Sequence, residues 1–313
     1  MKNKNIVVTG GLGFIGSHIV EELVDNNKIT IIDDKSSGKL ENLVNPNHKN
    51  INIIIEDLSK VDSSDLKPVL KGVDYVFHLA ALASVPISVE DPVKSDKNNV
   101  GATVKLLTAA KDENISKFIF SSSSAVYGEN PNMPLKESEP LRPSSPYAAS
   151  KASCEVYCHS FLKSYGLSCV SLRYFNVFGP RQDVNSQYAA VIPNFVDSLI
   201  NDKQAIIYGD GEQSRDFVYV KDIVKANIAA AISDYTGVVN IASGEAITIN
   251  RLYKIIKNTI GSNLDPLYKD ERAGDIKHSL ADVKNMKNIG FEVDSSNFNN
   301  NLEKTVKWFK DNK

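Results

Sequence analysis

The sequence predicts an α/β protein built on a doubly wound parallel sheet, continued by a smaller C-terminal α/β region. Three observations carry this. Short β-branched runs alternate with amphipathic stretches through the first half, and a glycine-rich turn joins the first such run to the first amphipathic stretch. After Arg173 the rhythm changes, and loops carrying Gly and Pro separate shorter segments.

Residues 6–9, 29–32, 51–55, 75–79, 118–121 and 169–172 read as strands, being rich in Ile, Val, Phe and Tyr. Residues 15–24, 66–70, 100–111 and 147–165 carry helical periodicity between most of them. Strands alternating with helices call for crossovers, hence for parallel pairing with helices on both faces. Residues 1–175 are expected to form the dinucleotide-binding part. Residues 176–313 are expected to form the substrate-binding region over the carboxyl edge of the sheet, with segments that cross back.

Bulk properties exclude several classes. The chain has 313 residues, 42% hydrophobic, and a formal net charge of −2. Its Lys and Arg are interspersed with Asp and Glu, so no nucleic-acid or acidic-membrane surface is expected. No apolar run reaches the length of a membrane span, and the short run Ile6-Val-Val8 leads into a glycine turn, not a cleavage site. A cytoplasmic location is expected. Cys154, Cys158 and Cys169 lack His or carboxylate partners at zinc spacing and read as buried free thiols, so no metal is expected.

The turn Thr9-Gly-Gly-Leu-Gly-Phe-Ile-Gly16 places Gly10, Gly13 and Gly16 between a strand and a helix. Without Cβ atoms the backbone can turn tightly and bring N–H groups to a pyrophosphate at the helix N-terminus, the Rossmann-type arrangement. The next strand ends in Asp33-Asp34, where an acid accepts from adenosine ribose hydroxyls and repels a 2′-phosphate. NAD is therefore the expected cofactor.

Ser145 and Pro146 read as an N-cap and first helical residue, which puts Tyr147 and Lys151 on one helix face. A tyrosine near pKa ~10 becomes a general base when a neighbouring ammonium and a cationic nicotinamide favour the phenolate. Upstream, Ser121-Ser-Ser-Ser124 follows a strand, where active sites of such sheets form, so Ser123 or Ser124 is the expected hydroxyl that orients a substrate toward Tyr147.

These stretches, with His78-Leu-Ala-Ala81, Arg173-Tyr-Phe-Asn-Val-Phe-Gly-Pro-Arg-Gln182, Arg215-Asp-Phe-Val-Tyr219 and the segment 272–282, resemble the UDP-glucose (galactose) 4-epimerase group of extended short-chain dehydrogenases/reductases. The similarity is greatest to UDP-N-acetylglucosamine 4-epimerases. The resemblance implies Ser123, Tyr147 and Lys151 as catalytic residues. It implies NAD contacts from Phe14 and Ile15, from Asp33 with the turn Asp34, Lys35, Ser37 and Gly38, and from Asp57 and Leu58. Further NAD contacts fall to Leu79, Ala80, Ala81, Asn99, Ser121, Tyr174 and Phe175. UDP-sugar contacts fall to Ser123, Ser124, Asn176, Ala190, Val191, Tyr208, Arg215, Arg272 and Asp275. Relatives dimerise through a four-helix bundle built from the helices near 99–111 and 147–163, so a homodimer is expected.

In the resembled family, the position four beyond the Asp of the motif that reads Arg272-Ala-Gly-Asp275 here flanks the sugar's 2-substituent, and a bulky tyrosine there is associated with excluding N-acetyl groups. Here it is Ser279, a small residue, which implies room for N-acetylated hexoses. A dehydratase would need an Asp-Glu pair just after the catalytic hydroxyl, where this chain has Ser124-Ala125. A non-catalytic NAD-binding scaffold would be expected to lack the Tyr or the Lys, and both are present.

Overall fold

The computed structural model describes residues 1–183, 190–271 and 276–312. Six strands of the first half are β1 (Asn5–Thr9), β2 (Lys28–Asp33), β3 (Ile51–Ile55), β4 (Tyr75–His78), β5 (Lys117–Ser123) and β6 (Cys169–Tyr174). Their connecting helices are α1 (Phe14–Leu23), α2 (Ser63–Leu70), α3 (Val85–Glu90), α4 (Pro92–Asp96), α5 (Ala102–Asp112) and α6 (Pro146–Tyr165). The second half adds β7 (Asn176–Phe178), α7 (Val191–Ile200), β8 (Ile206–Tyr208), β9 (Ser214–Tyr219), α8 (Val220–Ile232) and β10 (Gly237–Ile241). It ends with β11 (Ala246–Thr248), α9 (Ile249–Ile260), β12 (Leu267–Lys269) and α10 (Phe298–Asp311).

The main sheet has seven strands in the order β10-β6-β5-β4-β1-β2-β3, and every pairing is parallel. Strand order reverses at β1, between β2 and β4, which opens a crevice at the carboxyl ends of β1 and β4. One face packs a buried cluster with α1 and α8, including Ile19, Ile119 and Ile223. The other packs α2, α5 and α6 around Leu107, Phe118, Phe120 and Cys158. Both α8 and β10 come from beyond Arg173, so the chain crosses back into the larger body. The remaining elements enclose a separate cluster around Phe195, Leu252 and Leu302, with the small sheets β11-β9-β7 and β12-β8.

Two strands run further than the hydrophobic pattern predicts. The β5–β6 ladder continues through Ser121↔Leu172, Ser122↔Arg173 and Ser123↔Tyr174, so Ser122 and Ser123, beyond the expected strand end at 121, are strand residues. The Ser121 and Ser122 hydroxyls are satisfied by buried partners, which removes the cost of placing them there. Between α4 and α5 the helix passes through a π-turn, Lys97–Gly101, that carries Asn99. The three cysteines are free and buried.

Candidate active site

The glycine turn is packed as a cradle. Gly10 has φ +67, and a Cβ there would lie 2.8 Å from the Ala80 nitrogen. A Cβ on Gly16 would lie 2.1 Å from the Gly10 carbonyl oxygen, so only glycine lets α1 start this close to the turn. Gly13 caps α1 with no side-chain hydrogen bond and no acid follows in the first turn, an arrangement at Phe14 and Ile15 compatible with an anionic group. Leu79, Ala80 and Ala81 follow β4, and Leu79 and Ala80 lie against this turn.

Asp33 closes the cradle at the end of β2. Its carboxylate accepts from the Leu12 N–H at 3.0 Å and the Lys35 N–H at 2.8 Å. Burial pushes its pKa up, opposed by those two N–H groups. Gly38 packs directly on it, since a Cβ at Gly38 would meet Asp33 Oδ1 at 2.7 Å. Asp34 is spent on its own turn, accepting from the Ser36 N–H and hydroxyl, while Lys35 and Ser37 are exposed. Asp57 is half-buried and accepts from the Ser59 N–H at 2.9 Å beside buried Leu58. A tight glycine cradle, uncapped helix and strand-end carboxylate fit a dinucleotide.

Next to the cradle, α6 is capped by Ser145, whose hydroxyl accepts from the Ala148 N–H at 3.2 Å, with Pro146 first in the helix. Half-buried Tyr147 and buried Lys151 follow one turn apart. Burial pushes the Tyr147 phenol above its usual pKa, and the Ser123 hydroxyl opposes the shift. The expected lowering relies on the cationic nicotinamide as well as on a neighbouring ammonium. The Lys151 ammonium is instead turned to the Ser121 carbonyl at 2.8 Å and lies 5.0 Å from the Phe120 ring centre. Its own pKa falls to about 8 because it is buried.

Ser123, Ser124, Tyr147, Tyr174, Phe175, Asn176, Arg215 and Ser279 line one cavity of about 270 Å³. Among its described wall residues there is a guanidinium, Arg215, and no carboxylate, which suits an anionic ligand. Arg215 donates to the Ser214 and Lys277 carbonyls, at 3.0 and 3.3 Å. Asp216 does not pair with it on the surface. That carboxylate is fully buried and accepts from Ser243, Gly244 and Ala281. Asn176 donates to the Asp216 carbonyl at 3.0 Å.

Some expected contacts are occupied within the protein. Asn99 accepts from the Leu82 N–H at 2.7 Å and donates to the Ser150 hydroxyl at 2.8 Å, tying the loop after β4 to α6. The Ser121 and Tyr174 hydroxyls meet at 3.0 Å, and Tyr174 also bonds Asn227. Ala190 caps α7, Val191 begins it and Tyr208 ends β8; none of the three is in the cavity wall. Arg272 and Asp275 lie outside the described residues.

The sequence reading missed His278, Ile276, Leu135 and Asn130, which with Val85, Ala125 and Gly128 complete the described wall. His278 Nδ1 lies 2.9 Å from the Ser214 hydroxyl. It also missed the buried Glu155–Arg173 ion pair, for which the available signal was an acid one turn beyond Lys151 on the inner helix face.

The family model for the NAD dependent epimerase/dehydratase family matches residues 6–242. A UDP-N-acetylglucosamine 4-epimerase from Methanobrevibacter ruminantium M1, solved in complex with UDP-N-acetylmuramic acid, is 63% identical, with 100% of each chain covered and a TM-score of 0.98. A Thermotoga maritima UDP-glucose 4-epimerase solved with UDP-glucose is 38% identical, covering 98% of this chain and 99% of the other, with a TM-score of 0.93. The UDP-glucose 4-epimerase of Mycolicibacterium smegmatis is 36% identical over 280 residues, 88% of this chain and 89% of that one. By the family match over most of its length and these relatives, the chain belongs to the NAD dependent epimerase/dehydratase family.

Proposed function

We propose that the chain inverts C4 of UDP-hexoses with NAD as a resident cofactor, acting on UDP-Glc/UDP-Gal and on UDP-GlcNAc/UDP-GalNAc. The observation that carries this is the pairing of Tyr147 with Ser123 in the wall of a cavity that also holds Arg215 and Ser279. NAD, held by the 1–175 part at the glycine turn and Asp33, supplies the hydride acceptor and donor. Tyr147 takes the proton of the C4 hydroxyl as that carbon becomes a ketone, and returns it after the sugar has turned its other face. Ser123 holds the reacting oxygen by hydrogen bond, and Lys151 keeps a cation below both. Arg215, with Asn176 and the motif residues Arg272 and Asp275, anchors the UDP of the substrate on the 176–313 side, leaving the hexose free to rotate.

Ser279 is nearly buried in the wall, and its small side chain leaves space for a 2-acetamido group. The relative solved with UDP-N-acetylmuramic acid, which bears such a group, supports the same reading. A dehydratase reading is disfavoured because the wall has Ser124 and Ala125 beyond Ser123 and no carboxylate among its described residues.

The assembly proposed is a homodimer packed through α6 and its neighbours. Val93, Val156 and Tyr157 are 76%, 60% and 41% exposed there, an apolar surface a second copy would cover. No helix among the described residues is long and apolar enough to cross a membrane, and a cytoplasmic location is part of the proposal.

The test incubates the purified protein with UDP-GlcNAc and separately with UDP-Glc, and quantifies the C4 epimers by proton NMR. Conversion of both is expected. Conversion of UDP-Glc alone would remove the N-acetyl reading, and no conversion with added NAD would remove the epimerase reading.

A further inference from the structure

A buried charge cluster lies directly beneath the reacting groups. Ser122 and Arg173 are register partners on β5 and β6, so their side chains share one face of the sheet. Glu155 reaches that face from α6. Its Oε1 accepts from the Ser122 hydroxyl at 2.5 Å and from Arg173 Nε at 2.9 Å, and its Oε2 from Arg173 Nη2 at 2.7 Å. All three residues are 5% exposed or less. The Arg173 guanidinium also lies 4.7 Å from the Tyr127 ring centre, and the Tyr127 hydroxyl donates to Asn240 on β10 at 2.6 Å.

The placement brackets Ser123. Ser122 precedes it on β5, and Tyr127 closes the 3₁₀ turn Ser124–Tyr127 that Ser123 caps. Glu155 follows Lys151 by one turn and Tyr147 by two on the same helix. One carboxylate–guanidinium fork thus holds the strand that presents Ser123, the turn beyond it, and the helix that presents Tyr147.

We propose that Glu155 and Arg173 are positioning residues that fix the separation of the Ser123 and Tyr147 hydroxyls. This rests on the epimerase reading of the site. Stability alone gives little reason for such a pair, since a buried ion pair is often matched by apolar residues of similar volume. What an apolar pair cannot supply is a directional bond from helix to strand at the level of Ser122. Misplacement of reacting groups by about 1 Å costs on the order of 100-fold in rate.

The test uses the NAD-loaded protein in the NMR epimerisation assay. The double variant Glu155→Leu/Arg173→Met removes both charges of the pair together, so neither is left without the other, and Ser122→Ala removes only the helix-to-strand bond. The double variant is expected to lose about 30-fold or more in kcat and Ser122→Ala about 5-fold, with KM and NAD affinity within about threefold of the parent. A folded double variant with parental kcat overturns the proposal. So does one in which kcat and affinity fall together, the mark of general loosening. If the double variant does not fold, Ser122→Ala decides: parental kcat overturns the proposal, and a selective kcat loss supports it. The unsubstituted protein run alongside separates the two readings, because its inactivity would remove the epimerase function itself.

Discussion

The Lys151 ammonium donates to the Ser121 carbonyl at 2.8 Å, which fixes a buried cation under the strand end that carries Ser123. Its burial lowers the lysine pKa from 10.5 to about 8. Between those values the unfolded chain binds more protons than the folded one, so this group's contribution to stability rises with pH across that window. Holding the charge at pH 7 costs at most about 3 kcal/mol. Lys151→Met is therefore expected to raise the Tm of the NAD-free protein at pH 7 and to flatten its dependence between pH 8 and 10.5, while epimerisation is lost. Thermal melts across that range, beside the NMR assay, check both.

Tyr147 faces Ser123 with its phenol pKa raised by burial, so the free protein holds it protonated. Tyr147→Phe removes the proton carrier and little else, because its backbone N–H still donates to the Ser88 hydroxyl. We expect kcat to fall about 10²–10⁴-fold with NAD affinity unchanged. Epimer formation by NMR and a fluorescence titration with NADH measure the two.

Gly16→Ala would drive a methyl to 2.1 Å from the Gly10 carbonyl oxygen, a backbone atom with no room to yield. The cradle must open, and NAD binding should weaken at least about tenfold, a loss of about 1.4 kcal/mol. Calorimetric titration with NAD shows the loss. Parental affinity would mean the dinucleotide does not lie on this turn.

Ser279→Tyr fills the cavity wall beside His278. Turnover of UDP-GlcNAc and UDP-GalNAc should disappear while UDP-Glc and UDP-Gal retain most of theirs. Equal loss on both pairs would count against Ser279 as the residue that admits the 2-substituent.

Much of this was legible in local patterns. Glycine spacing, the acid ending β2 and the Ser145-Pro146 helix start each act over a few residues, and the structure places each as the pattern requires. The run Ser121-Ser-Ser-Ser124 was less legible. Polarity argues for a turn, but β6 supplies a ladder and Glu155 and Tyr174 supply hydrogen-bond partners from 33 and 53 residues away.

The sequence by itself determined the parallel α/β class, the glycine cradle and the helix face shared by Tyr147 and Lys151, because periodicity, glycine and capping are short-range physics. Only the tertiary structure decided which strand and helix of the second half return to the main sheet, where the Lys151 ammonium points, and that Asn99 and Tyr174 are tied into the core. Those outcomes depend on which distant groups meet in a buried, low-dielectric layer. There each polar atom must find a partner, and the partner is chosen by packing, not by neighbours in the chain.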